Sequence, residues 1–193
     1  MTYLRKMIQL LVLIATSIVF TACIKGVMVK SNAFASSPVL TTLQQEYLDA
    51  LNEARSYTHD CGTAGVFSAT SAFDWNENLY EASYEHSYDM AMSNIFSHNG
   101  SGSTFDVSGN LLGTSSTFSN RLDNNGYMGT YTAENIAAGT QLSSAKQVVA
   151  QLLMSDGHCA NIMNPEFTDV AMAMVKNKNS RLIHYWTQDF GRP

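Results

Sequence analysis

Apolar positions recur along this chain with two different periods, and each period predicts its own kind of element. Leu43, Tyr47, Leu51 and Ala54 fall at helical spacing and predict a helix over residues 40–57. Gln45, Glu46, Asp49 and Glu53 form its polar face, and Thr41 with Gln44, or Thr42 with Gln45, supplies a capping box. A second helix, opened by Asp74 with Glu77, runs to about residue 95. It carries Leu79, Ala82, His86 and Met90 on one face and Tyr80, Tyr84 and Ala91 on the next, which predicts burial against more than one neighbour. Ser144 with Gln147 opens a third, in which Ala145, Val148, Val149, Leu152 and Leu153 fit the helical pattern without a miss. Gly157 reads as its stop, making residues 155–165 a sharp corner that presents His158 and Cys159 in different directions.

The two-residue period appears late. Residues 170–175 and 182–190 read as strands, joined through Asn177-Lys178-Asn179-Ser180 as a hairpin. Between these elements lie a loop over 58–73 and a Gly- and Ser-rich loop over 99–116. The latter reads as long, polar and mobile. A short helix is expected over 118–125, around Arg121-Leu122. Helices followed by late antiparallel strands give an α+β fold, a layered α-β-α sandwich.

The first part of the chain has another pattern. Arg5 and Lys6 precede an apolar run from Met7 to Cys23, as in a secretory signal peptide. The alternative, a retained anchor, needs a longer apolar run. Two processing sites fit. Ala33-Phe34-Ala35 places cleavage before Ser36, so residues 1–35 are the signal and short tether. Phe20-Thr21-Ala22-Cys23 resembles a lipobox, with signal 1–22 and Cys23 lipidated. In either case residues 36–193 form a single domain, of a length that supports one core.

The basic residues of the leader leave the domain with seven basic and sixteen acidic residues, net −9. That balance excludes nucleic acid and an anionic membrane surface as partners, leaving a lipid anchor at Cys23 as the one membrane route. Export also bears on the cysteines. Cys61 and Cys159 remain as a pair, which in an oxidising compartment points to a disulfide. Two buried free thiols, or Cys159 as a nucleophile beside His158, are the alternatives.

Eight motifs then carry a resemblance. They are LNEAR (51–55), AFDWNENLYEAS (72–83), HSYDMA (86–91), FSHNG (96–100), RLDNNGY (121–127), AENIAAG (133–139), SDGHCANIMNPEF (155–167) and YWTQDFG (185–191). In this order they resemble the CAP superfamily, also called SCP/TAPS: cysteine-rich secretory proteins, antigen 5 and pathogenesis-related 1 proteins, in the bacterial extracytoplasmic branch. The resemblance implies an α-β-α sandwich with a central antiparallel sheet. It also implies a shallow cleft lined by His98, Glu134 and His158. Eukaryotic members add a second glutamate from an insertion that this chain lacks, so Asp156 or water is left for the fourth position.

Two imidazoles and a carboxylate are a ligand set for zinc or a similar divalent cation. Their wide separation in sequence means that only the fold can assemble them. The other histidines have plainer readings. His86 is a hydrogen-bonded core residue, His59 is solvated in its loop, and His184 stands on the outer face of a strand. Trp75, Trp186 and Phe190 are core aromatics. Two functions follow. One is a non-catalytic, extracytoplasmic binding module with a divalent cation in the cleft and a surface for a small lipophilic molecule, a glycan or a protein. The other is a metal-dependent hydrolase with Glu134 as general base between His98 and His158. Neither an H-E-x-x-H helix nor a G-x-S-x-G elbow is present, so the binding module is the preferred reading.

Overall fold

The computed structural model describes residues 40–193. The signal segment, both processing sites and Cys23 lie outside the described residues. Helix α1 (Thr42–Arg55) leads into a small hairpin, β1 (His59–Asp60) with β2 (Val66–Phe67), and then a short strand, β3 (Asp74–Trp75). Next come α2 (Glu77–Ser93), α3 (Val107–Leu112) and α4 (Phe118–Asn124). Strand β4 (Tyr131–Ala138), helices α5 (Ala145–Leu152) and α6 (Asp156–Met163), and strands β5 (Asp169–Lys176) and β6 (His184–Arg192) complete the chain.

Four strands form one sheet in the order β3-β5-β6-β4. Strand β6 pairs antiparallel with both β4 and β5, and the short β3 adds in parallel beside β5. The alternation of β6 separates the layers. Ser83 and Ser87 of α2 donate to Asp189 and Thr187, so odd-numbered β6 positions face α2. On the opposite face, Trp186 meets Tyr47 of α1 edge-on, and Gln188 accepts from Asn135. Ala171 and Ala173 lie fully buried opposite Asp189 and Thr187, their small size letting α2 approach the sheet. The architecture is the expected three-layer α-β-α sandwich, with α1, α5 and α6 on the face away from α2.

Local signals hold where they are short-range. Thr41 caps α1 and Ser144 caps α5, each through a complete capping box. Cys61 and Cys159 form the disulfide. His86 and the three core aromatics are buried as expected.

Several expectations change. Leu43 is exposed, and Gln44 takes its place inside α1's buried stripe. There Gln44 spends its side chain on the cap and on Glu77. The cap of α2 is Asn76, whose side-chain Oδ1 accepts from Asn78 N and Leu79 N, because Asp74 is already committed to β3. Gly157 ends no helix. Helix α5 stops at Leu152, the chain turns through Leu153–Ser155, and Gly157 sits inside α6 without a positive φ. His184 is buried, its Nδ1 3.2 Å from the Gly139 carbonyl, and His59 closes the end of α1 at 2.9 Å from Ala54 O.

The 99–116 segment is built rather than open. Asp106, 1 % exposed, accepts from Gly102 N, Gly109 N and Ser116 N, each at 3.0 Å. Burial alone raises its pKa, but the bonds from Ser116, Gly102 and Gly109 outweigh that and hold it below the usual carboxylate value. A Cβ on Gly100 or Gly109 would collide with that carboxylate, so glycine here is a matter of space. Asp89 of α2 accepts from Ser101 and closes the near end of the segment.

Candidate functional site

His98 leaves the end of α2, where Asn94 takes a left-handed φ of 61° and turns the chain. Two buried side chains then fix the segment that bears it. His86 Nε2–H donates to Ser97 O at 2.8 Å, and Arg121 Nη2 donates to His98 O at 2.9 Å. The imidazole of His98 lies with Nδ1 2.8 Å from Glu134 Oε1. An ionised carboxylate only accepts, so Nδ1 carries a proton and Nε2 is the ring nitrogen not engaged with Glu134. The exposure is lopsided: the side chain of His98 is 55 % exposed and that of Glu134 2 %.

Glu134 is held from its other side by Arg121, with Nη2 2.7 Å from Oε2. Both carboxylate oxygens are therefore occupied. Burial alone would raise the pKa of Glu134. The bond from His98, with the charge and hydrogen bond of Arg121, wins and holds it low. A buried carboxylate with a depressed pKa and two committed oxygens is a poor general base and a good orienter of its histidine.

Directly across the β4–β6 ladder from Glu134 stands a second carboxyl group, Asp189. Burial, then the negative charge of Glu134, raise its pKa well above the ordinary value and favour its neutral form. Its Oδ2 accepts from Ser83 Oγ at 2.8 Å, while Oδ1 has no hydrogen-bond partner among the described residues. The two facing carboxyls are thus driven in opposite directions, Glu134 toward ionisation against Arg121 and Asp189 toward its neutral form. His86 joins the neutral set. Burial pushes its pKa down to about 4.

His158 sits in the first turn of α6, and Asn135 positions it from the sheet. Asn135 Nδ2 donates to His158 O at 3.2 Å and to Gln188 Oε1 at 3.1 Å, while its Oδ1 accepts from Asn161 of the same helix at 2.8 Å. The imidazole is half-buried, and its pKa is lowered first by burial and then by nearby His98. The next residue, Cys159, is fully buried in its bridge to Cys61, so imidazole and sulfur do diverge as the sequence suggests.

Of the expected site residues, the fold joins His98 directly to Glu134 and brings His158 within electrostatic range of His98. Among the described residues, no three His, Cys, Asp or Glu side chains gather as a ligand set. Asp156 is drawn elsewhere: Thr63 N donates to its carboxylate at 2.9 Å, and Thr63 Oγ1 also bonds to it. The side chains there that could hold a cation are the imidazoles of His98 and His158, with water. That donor set suits a borderline divalent ion.

Arg121 and Asp189 were missed as site residues. A lone arginine inside a short helix and a lone acid within a strand of largely apolar neighbours are the signals that carry them, since such groups need buried partners.

The sequence matches the model of the cysteine-rich secretory protein (CAP) family over residues 48–190. The chain belongs to this family. No curated protein matches it by sequence. Among solved structures, it is similar to an extracellular protein containing an SCP domain from Bacillus anthracis, with 25 % identity and a TM-score of 0.58. That likeness covers 82 % of this chain and 45 % of the other, so the CAP chain spans less than half the length of that relative. An outer surface protein from Borrelia burgdorferi shares the fold at 15 % identity and a TM-score of 0.52, covering 77 % of this chain and 93 % of the other. Among the described residues, no helix is long and apolar enough to cross a membrane.

Proposed function

We propose that this CAP-family chain is an extracytoplasmic, non-catalytic binding module whose cleft at His98 and His158 takes a divalent cation, zinc or a similar ion. One observation carries the reading. Glu134, itself held by buried Arg121, accepts from His98 Nδ1 and leaves Nε2 as the ring nitrogen not engaged with it. A carboxylate behind a histidine fixes its tautomer and raises its basicity toward a metal. His158, with its proton affinity lowered, is the second nitrogen donor, and water completes the shell. Glu134, first expected as a ligand, acts here as support. The cation would hold the two histidine segments together and present open positions to an anionic or carbonyl group of a partner.

The extracytoplasmic placement draws on the disulfide, which suits an oxidising compartment, and on relatives described as extracellular and outer-surface proteins. The ligand class, whether lipophilic, glycan or protein, is open to test. A metal-dependent hydrolase is the second reading. The His98–Glu134 pair has the form of a base with its orienting carboxylate, so that reading would use His98, not Glu134, as base.

Zinc titration calorimetry on the purified protein near neutral pH tests the proposal. Wild type should take up about one equivalent. His98→Ala with His158→Ala should take up none, and Glu134→Gln should bind about 10- to 100-fold more weakly. Absence of zinc uptake by a folded wild type would end the metal reading.

A further inference from the structure

A row of aromatic rings runs from the buried Trp75 of β3 along α2 to Phe105, and the His98 site does not use it. Trp75, Tyr80, Tyr84 and Tyr88 follow one another at centroid spacings of 5.6, 6.2 and 6.4 Å, and Phe105 ends the row at 6.1 Å from Tyr88. The row turns a corner at its far end. Tyr84 and Tyr88 lie near-parallel at 22°, while Phe105 stands at 77° to Tyr88. Ring surfaces therefore meet a groove of about 250 Å³ from two directions. Tyr84 is 43 % exposed and Tyr88 36 %, although most of the chain's other large rings are buried.

The remaining walls of this groove are two acids, two amides and the apolar Val107. Glu81 and Glu85 line it, with Asn124 and Asn125, and no Lys, Arg or His does. Glu85 is fixed in place, accepting from Ser108 N at 2.7 Å, Ser108 Oγ at 3.0 Å and Asn125 Nδ2 at 2.9 Å. Glu81 is exposed on the same helix and has no hydrogen-bond or ion-pair partner among the described residues. Aromatic faces beside uncompensated carboxylates attract a cation. The rings act through their quadrupoles and the acids through charge.

From this charge complementarity we infer that the groove between α2, α3 and α4 binds a small organic cation of the quaternary ammonium class. The choice within cations follows from hydrogen bonding. An ammonium or guanidinium brings several N–H donors that need acceptors, and Glu85 already receives three. A quaternary nitrogen brings none, so it leaves no donor unpaired when it moves from water to the ring faces. The occupant carries no phosphate, because a phosphate would sit against Glu81 and Glu85. That excludes a phosphocholine lipid headgroup as the source and leaves a free cation such as choline. The groove shares no residue with the His98 site, so this inference and the metal reading stand or fall separately.

The test is heteronuclear NMR titration of the intact protein with choline. Parallel arms use phosphocholine and 3,3-dimethylbutan-1-ol, the neutral carbon isostere of choline. Choline should shift the resonances of Tyr84, Tyr88 and Phe105 and saturate. The neutral isostere and phosphocholine should each bind about tenfold more weakly or not at all. Glu81→Gln, an exposed change that leaves the fold intact, should weaken choline several-fold, and Tyr84→Leu with Tyr88→Leu should abolish saturation. Equal binding of choline and its neutral isostere would reduce the groove to an apolar hollow and overturn the inference. So would equal binding of phosphocholine, shifts confined to other residues, or no saturation by choline.

Discussion

Glu134 and Asn135, adjacent on β4, face opposite sides of the sheet, and each fastens one of the two cleft histidines. Glu134 accepts from His98 on the α2 face, while Asn135 holds the carbonyl of His158 from the α6 face. Strand alternation thus lets one dipeptide organise two segments that approach the edge of the sandwich from different layers.

The Arg121–Glu134 pair is buried on both sides, each side chain being 2 % exposed. Removing one partner strands the other charge. Arg121→Ala should cost about 3–5 kcal/mol in urea unfolding, and it should also release His98 O. A loss below 1 kcal/mol would show that the pair is wetter than its geometry implies.

Asp189 predicts a gain. Its folded pKa is raised, so the folded state keeps a proton that the unfolded chain gives up above about pH 4. Stability from this group is full below that value and falls as pH rises. Asp189→Asn keeps an acceptor for Ser83 and does not ionise. It should be more stable than wild type at pH 8, with the difference shrinking toward pH 4. A variant less stable at both pH values would contradict the protonated assignment.

His86 acts at the acid side. Its folded pKa of about 4 lies below the unfolded value of 6.5, so the unfolded chain takes up a proton that the folded chain refuses. Stability from this group is present above pH 6.5 and is lost as pH falls from 6.5 toward 4, by up to about 3 kcal/mol. His86→Gln retains a donor for Ser97 O. It should flatten the stability–pH curve across that window, as read by chemical unfolding at several pH values.

The Cys61–Cys159 bridge joins residues 98 apart in sequence. Restricting the unfolded chain over so large a loop is worth about 4 kcal/mol. Denaturation with and without reductant should show a loss of that order. Non-reducing digestion followed by mass spectrometry should recover the two cysteines in one linked peptide. Free, alkylatable thiols in the folded protein would remove the bridge.

Much of the architecture was legible because it is local. A capping box involves residues three apart, an amphipathic helix repeats every turn, and a polar turn between two alternating runs forces a hairpin. Thr41, Ser144 and the β5–β6 pair therefore behave as their neighbours dictate. Local reasoning failed where a distant partner outbid the near one. Asp74 lost the cap of α2 because it pairs with β5, and Gly157 entered a helix because Ser155 begins it. The apparent open loop at 99–116 closed because one carboxylate, Asp106, collects three amides from along its length.

From the order of its motifs the sequence alone determined the family, the layers and which three residues to watch at the cleft. Only the tertiary structure decided their roles. Whether a carboxylate is a ligand, a base or a support depends on what occupies its oxygens. For Glu134 those occupants, His98 and Arg121, arrive from other segments. The protonation of Asp189 depends on a charge across a strand pair. Such through-space energies vary over ångströms, a scale that spacing along the chain does not encode.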